Sequence, residues 1–441
     1  MRTPVRRLAR LKTLLCILPL LAAGACGDDQ TPGGDAGLDA GPDATPGDAG
    51  PDAGPDAGTG DPCIDQLVTG TVFELDPDGP DTQIHVNAAF DGRGVWLVWN
   101  RPDGNNYFDV WAQRLGCDGV ALVPPFQVNT TDHNETDPSV AVGDGNVYLV
   151  WQADNNTGIN NMDILVRTYG VDGTPLMATD AIVETTYDGT PVVGNAMAPG
   201  VTALPGGQFA ISGVRGLDVA PAWQVFAQRL NADGSLAEEA LSPIIEPAAT
   251  HLYPAVAARP DGTLHLAYTR AEGTAEWIVH TAYAAGTATP DPDPPVEAVA
   301  GVEGAGGALA AAPGGDVVYL AFGDGNNIVL TTTAVVGGPA PVTASGGLGP
   351  AHSPVLAARE GGGALVHYSN AGGLANELHA VAFTLDAGEF TLGSDTLILP
   401  ETVPPYQATI THVTDDIYFV GWSGGPNPAY RISGTFVELK P

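Results

Sequence analysis

The side chains best suited to chemistry in this 441-residue chain are bunched in a few polar stretches. One runs Arg101-Pro-Asp103-Gly-Asn105-Asn106-Tyr107, and a second, Asp132-His133-Asn-Glu-Thr-Asp137, follows some thirty residues later. Asp154 and Asn155 open a third, and His251, Arg270 and His352 stand at comparable places further on. Carboxylates, amides and aromatic rings together can hold sugar hydroxyls, and the same oxygens can ligate Ca²⁺. Asp, Asn and Gly are equally the residues that solvated turns favour. No stretch has the spaced aspartates and terminal glutamate of an EF-hand, so Ca²⁺ rests on composition alone and no resident cofactor is expected. His133, His251 and His352 recur in alternate repeats, which separates them in space and argues against a shared metal site. No serine-triad motif, P-loop or dinucleotide fingerprint is present.

These stretches are loops of a repeat. Pro138 to Val183 shows one unit: strand Ser139-Val-Ala-Val142, turn Gly143-Asp-Gly145, strand Val147-Tyr-Leu-Val-Trp151, a polar loop, strand Asp163 to Tyr169, turn Asp172-Gly173, and a last strand from Ala181. Four short strands recurring every fifty residues or so are the pattern of a β-propeller blade. First strands are expected at His85–Phe90, Pro138–Val142, Pro199–Leu204, Pro254–Arg259, Gly307–Ala312, Pro354–Arg359 and Gln407–Val413. The fold class is therefore all-β, a seven-bladed propeller of four-stranded blades. The loops entering first strands and those joining second to third strands share one face, which collects the residues named above.

Second strands repeat an aromatic in one late slot: Trp99, Trp151, Tyr268, Phe322, Tyr368 and Trp422, with Gly213 in the third unit. Large rings at one register of successive sheets are expected to pack between blades. The last unit ends at its third strand. Thr69-Gly-Thr-Val-Phe-Glu-Leu75, ahead of the first unit, is the strand expected to complete it and close the ring.

The N-terminus reads as an address. Residues 1–25 carry five bases, the apolar run Leu14 to Leu21 and small residues before Cys26, the pattern of a signal peptide. Leu21-Ala-Ala-Gly-Ala-Cys26 resembles a bacterial lipobox, which implies lipidation of Cys26 and anchoring in a cell envelope, with Gly27 implying sorting to the outer membrane. An ordinary signal peptidase site is the competing reading. Residues 26–62 hold nine aspartates and no base among Ala, Gly and Pro, so a disordered tether reaching about 30 Å is expected. The propeller domain then spans 63–441. Without the leader, 11 bases face 51 acids, a net charge of −40 that repels nucleic acid. Cys63 and Cys117 are free to pair in an oxidising compartment, or to remain unrelated thiols. A monomer is expected.

From Thr69 onward the repeat, carried by strings such as Val98-Trp-Asn-Arg101 and Asp109-Val-Trp-Ala-Gln-Arg-Leu115, resembles the sialidase-like propellers of secreted bacterial proteins. Sialidases carry Ser-x-Asp-x-Gly-x-Thr-Trp turns. Arg259-Pro-Asp-Gly-Thr263 is the nearest string here. The resemblance further implies three arginines on a substrate carboxylate and a Tyr–Glu nucleophile pair. Arg101, Arg215 and Arg270 share a register two residues past the aromatic slot, but in three different units. The expectation is a non-catalytic binding or scaffold module for a glycan or an envelope protein. A sialidase-like glycan hydrolase and a purely structural envelope component are the alternatives.

Overall fold

The computed structural model of the chain describes residues 63–104, 107–154, 162–183, 186–187, 190–191, 196–216, 223–237, 241, 244, 246, 249–334, 338–345, 351–369, 377–399, 405–425 and 429–441. The expected leader, Cys26, the tether, Asn105, Asn106 and Asn155 lie outside them.

Each blade is an antiparallel meander whose second and third strands are buried on both faces. Blade 1 comprises Ile84–Phe90, Val95–Pro102, Phe108–Leu115 and Ala121–Gln127. Blade 2 comprises Asn134–Gly143, Asn146–Asp154, Met162–Gly170 and a two-residue outer strand, Ala181–Ile182. Blade 3 shows three strands among the described residues, Ala196–Leu204, Gln208–Gly216 and Trp223–Asn231. Blade 4 is Thr250–Ala258, Leu264–Glu272, Ala275–Tyr283 and Asp291–Glu297, and blade 5 is Ala305–Ala311, Val318–Asp324, Asn327–Thr332 and Val342–Thr343. In blade 6, Ala351–Arg359, Gly362–Ser369 and Glu377–Asp386 are flanked by a split outer edge, Glu389–Leu392 and Thr396–Leu399.

Blade 7 closes the ring. Its strands Pro405–Thr414, Ile417–Gly424 and Arg431–Glu438 are completed by Val72–Glu74 from the other end of the chain, with Val72 opposite Thr435 and Glu74 opposite Ser433. The expected closing strand is thus present, shorter than Thr69–Leu75. The first strands of neighbouring blades pack in order around the ring, blade 7 against blade 1 included. Apolar side chains fill the blade interfaces: Trp99 and Leu97 lie with Phe419 and Phe436 between blades 7 and 1, and Trp151 lies with Trp96 between blades 1 and 2. Cys63 and Cys117 form a disulfide beside the first of these clusters, with Cα atoms 5.2 Å apart.

Two expectations about register need correction. The first strands begin before the prolines, because the chain enters those of blades 1 to 6 through a β-bulge whose extra residue is left-handed. These residues are His85, Asp137, Ala198, Tyr253, Gly306 and Ser353, with φ between 51° and 65°. Proline has no N–H to give a ladder and is tolerated at a bulge, so Pro138, Pro199, Pro254 and Pro354 follow the bulge residue without ending the strand. In blade 6 the aromatic slot facing the preceding blade belongs to His367, not Tyr368. Leu365 packs toward blade 5, whereas Val366 and Tyr368 pack toward blade 7, and alternation places His367 with Leu365.

Candidate functional site

In blades 1, 2 and 4 the residue after the aromatic slot holds the next blade's bulge in place. Asn100 Oδ1 accepts from the Asp137 N–H at 3.2 Å, Gln152 Oε1 from Ala198 at 3.0 Å, and Thr269 Oγ1 from Gly306 at 3.0 Å. Pinning a left-handed residue through its own N–H fixes how these three inner strands meet the loop face. Asp137 is part of this scaffold: its carboxylate lies 2.7 Å from His85 Nδ1 and accepts from Gln152 Nε2 at 2.6 Å.

An open cleft forms where blade 1 meets the turn between the closing strand and blade 1. Arg101 and Asp109 face each other across the second and third strands, Trp111 follows two residues on, and Gln127 of the outer strand pairs with Trp111. The strand period of two puts Asp109 and Trp111 on one face. Asp78, Gly79 and Pro80 form the opposite wall, enclosing a lobe of about 680 Å³. A second lobe of about 560 Å³ shares Asp103, Asp109 and Gln127 and reaches Asn129, Thr131, Asp132 and Arg167. The wall from the closing turn is itself braced: Gln83 Nε2 donates to Asp76 Oδ2 at 3.0 Å, and Arg431 donates to the Gly79 carbonyl at 2.7 Å.

Within the cleft the Arg101 guanidinium lies 4.0 Å over the Trp111 ring and 3.5 Å from Asp76. Asp103 orders its loop by accepting from the Tyr107 N–H at 3.2 Å. Asn129 donates to Asp109 at 2.9 Å and accepts from the Val110 N–H at 3.0 Å. Behind the wall, Thr131 donates to Glu135 Oε1 at 2.8 Å. Glu135 is fully buried, and its other oxygen has no hydrogen-bond partner. Burial pushes the Glu135 carboxyl up to about 8, with Asp109 adding to the rise. Burial also raises Asp109, and the neighbouring Asp103 and Asp132 charges raise it further against the opposing bond from Asn129.

Of the described loop residues expected on one face, Arg101, Asp103 and Asp132 thus meet in one cleft with Tyr107 and His133 in its loops, and the other described ones are elsewhere. Asp154 ends the second strand of blade 2, opposite Asn134. His251 is buried, its Nδ1 accepting from the Val225 N–H at 3.3 Å. His352 packs obliquely on Tyr368, ring centres 5.7 Å apart. Asp109, Trp111, Gln127 and Asn129 were missed as site residues. Strand alternation past Arg101 was the signal that would have found Asp109 and Trp111. Among the described residues no group of three or more His, Cys, Asp or Glu side chains is placed to hold a metal ion.

A Tyr–Glu–Arg group does exist in blade 4, away from this cleft. The Tyr268 hydroxyl donates to Glu246 Oε1 at 3.2 Å, and Arg270 Nε donates to the other oxygen. Tyr268 is fully buried, and burial together with the Glu246 charge pushes its phenol up, the reverse of what a nucleophile needs. The three arginines are also held apart by their own blades. Arg215 is buried 5.3 Å over Phe226, and Arg270 pairs with Glu246 and Glu272.

No protein-family model and no curated protein sequence matches the chain. Solved structures match its fold. A Dyadobacter fermentans protein of unknown function superposes with a TM-score of 0.50 at 11% identity, over 85% of this chain and all of that one. An ulvan lyase, from a new polysaccharide lyase family, superposes with a TM-score of 0.54 at 10% identity, over 82% of this chain and 94% of that one. At such identities the likeness is one of fold.

Proposed function

We propose that the chain is a glycan-binding propeller presented at a bacterial cell envelope, held there by lipid on Cys26 and the acidic tether. The observation that carries the reading is the Trp111 ring with Arg101 stacked 4.0 Å above it, set among Asp103, Asp109, Gln127 and Asn129 in an open cleft. The Arg101 guanidinium, backed by the Trp111 ring and rimmed by carboxylates and amides, offers donors and acceptors to the hydroxyl edges of sugar rings.

The second reading, a glycan-cleaving enzyme, draws on Asp109 and Glu135, two neighbouring carboxyls of raised pKa. A glycan array probed with the full chain, scored for retention and cleavage, separates the two. Retention of intact sugars that Trp111→Ala reduces at least tenfold is the expected result. Cleaved sugars would transfer the case to the enzyme reading, and retention indifferent to Trp111→Ala would move the site elsewhere.

A further inference from the structure

Blade 6 holds a largely buried group of four titratable side chains that the cleft does not use. The His379 ring is wedged between two carboxylates, its Nδ1 2.9 Å from Asp395 Oδ1 and its Nε2 3.1 Å from Glu377 Oε2. A carboxylate only accepts, and a neutral imidazole has one N–H to give. Two such bonds therefore need one proton more than a neutral ring between two ionised acids supplies. The buried ring of His367 stacks on that of His379, centres 5.6 Å apart. Its Nδ1 lies 3.4 Å from the Tyr368 carbonyl, which takes the one N–H of a neutral ring and leaves Nε2 bare. That nitrogen stops 3.7 Å from Asp395 Oδ2, too far for a hydrogen bond, and both atoms are without a hydrogen-bond partner. The extra proton therefore belongs to His379 and its two acids.

Among the described residues no further ion pair reaches the group. On the side of blade 5, Ile328, Leu330 and Ala344 pack with Leu365 and Val381, which stand two residues from the two rings. The strands and turns of blade 5 carry two charged residues, Asp316, paired with Arg259, and Asp324, which ends its second strand. The bond to Asp395, joined by that to Glu377, outweighs burial and holds the His379 imidazole above the usual histidine value.

Asp395 sits in the link between the two halves of the outer edge, Glu389–Leu392 and Thr396–Leu399, and both halves pair with the strand that carries His379. Gly393 in the same link lies so close to the Lys440 carbonyl that a β-carbon would collide with it. Ile398 and Leu399 pack with buried Leu439 over the seam with blade 7.

We propose that His379 is a proton-operated clasp: protonated, it ties Asp395 and the second half of the split edge to blade 6, and deprotonated, it releases Thr396–Leu399 from the seam beside blade 7. Loss of the proton to solvent leaves one ring nitrogen facing a carboxylate, lone pair to lone pair. The folded value lies above the unfolded one, so the clasp is closed below about pH 6.5 and opens as pH rises through the folded value.

Hydrogen exchange of the full chain from pH 6 to 9, corrected for the intrinsic rate, together with NMR titration of the His379 ring, tests it. The ring is expected to titrate above about pH 6.5, and protection of Thr396–Leu399 to fall beyond that midpoint by up to about tenfold per pH unit, the limit for one proton. Asp395→Asn should lower the protection at pH 6 at least tenfold and make it independent of pH. Glu377→Gln, at a side chain one-quarter exposed, should lower the midpoint and leave the fold intact, which keeps the test open if Asp395→Asn does not fold. A wild-type midpoint at or below about 6.5, edge protection flat from pH 6 to 9, or a midpoint and slope unmoved in Glu377→Gln would each overturn the clasp.

Discussion

His85 and Asp137 occupy the same position of successive blades, both left-handed, and touch: Nδ1 of one lies 2.7 Å from the carboxylate of the other. At this junction the bulge that re-aims the inner strand is therefore also a lateral link between blades. Asp137→Asn should cost little, since Asn tolerates this backbone region and keeps an acceptor for Gln152. Asp137→Ala should lose about 1–2 kcal/mol, because it removes both contacts and favours the left-handed region less. Thermal unfolding of the two variants should separate them in that order, and equal melting temperatures would show the link to be idle.

Glu135 gives stability a distinctive alkaline slope. Its folded pKa of about 8 stands above the ordinary 4.5, so the folded chain keeps a proton that the unfolded chain releases. Stability should fall as pH rises between these values, by at most about 1.4 kcal/mol per pH unit. Glu135→Gln should flatten denaturant midpoints measured from pH 5 to 9. A wild-type curve already flat there would show that the carboxyl is ionised.

The opposite slope belongs to blade 4. His265 Nδ1 lies 3.0 Å from His280 Nε2, and burial holds both rings well below the usual histidine value. The unfolded chain takes up protons below about pH 6.5 that the folded pair refuses, so stability is full above that pH and is lost as pH falls toward 4. His280→Gln should soften the acid limb of the melting curve.

The disulfide between Cys63 and Cys117 spans 54 residues and joins the chain ahead of the closing strand to blade 1. A loop of that length corresponds to about 4 kcal/mol in the chain-entropy account. Cys63→Ser with Cys117→Ser should lower the denaturant midpoint accordingly, and the same shift should appear on reduction of the unaltered chain.

The architecture was legible in the sequence because its signals are local and repeated. Turn glycines such as Gly119, Gly173 and Gly234 do adopt positive φ, and five of the six slot aromatics do face the preceding blade. The slot in blade 6 was misread because His367 and Tyr368 are adjacent rings, and only packing tells which side each takes. The cleft was half legible. Arg101, Asp103 and Asp132 are loop residues of a suspicious kind, whereas Trp111 and Asp109 are strand residues whose exposure depends on where the closing turn lies against blade 1.

Pairing of Val72–Glu74 with Ser433–Thr435 makes the ring an all-or-nothing assembly in time. Blade 7 cannot be finished until the final strand exists, although its partner strand is among the first parts made. A ribosome that stops early, or a protease that trims Arg431–Glu438, leaves that early strand unpaired and the Asp78–Pro80 wall of the cleft without the Arg431 brace at Gly79. Integrity of the far end of the chain is thereby read out at the cleft, so a truncated copy should arrive with that wall already unbraced.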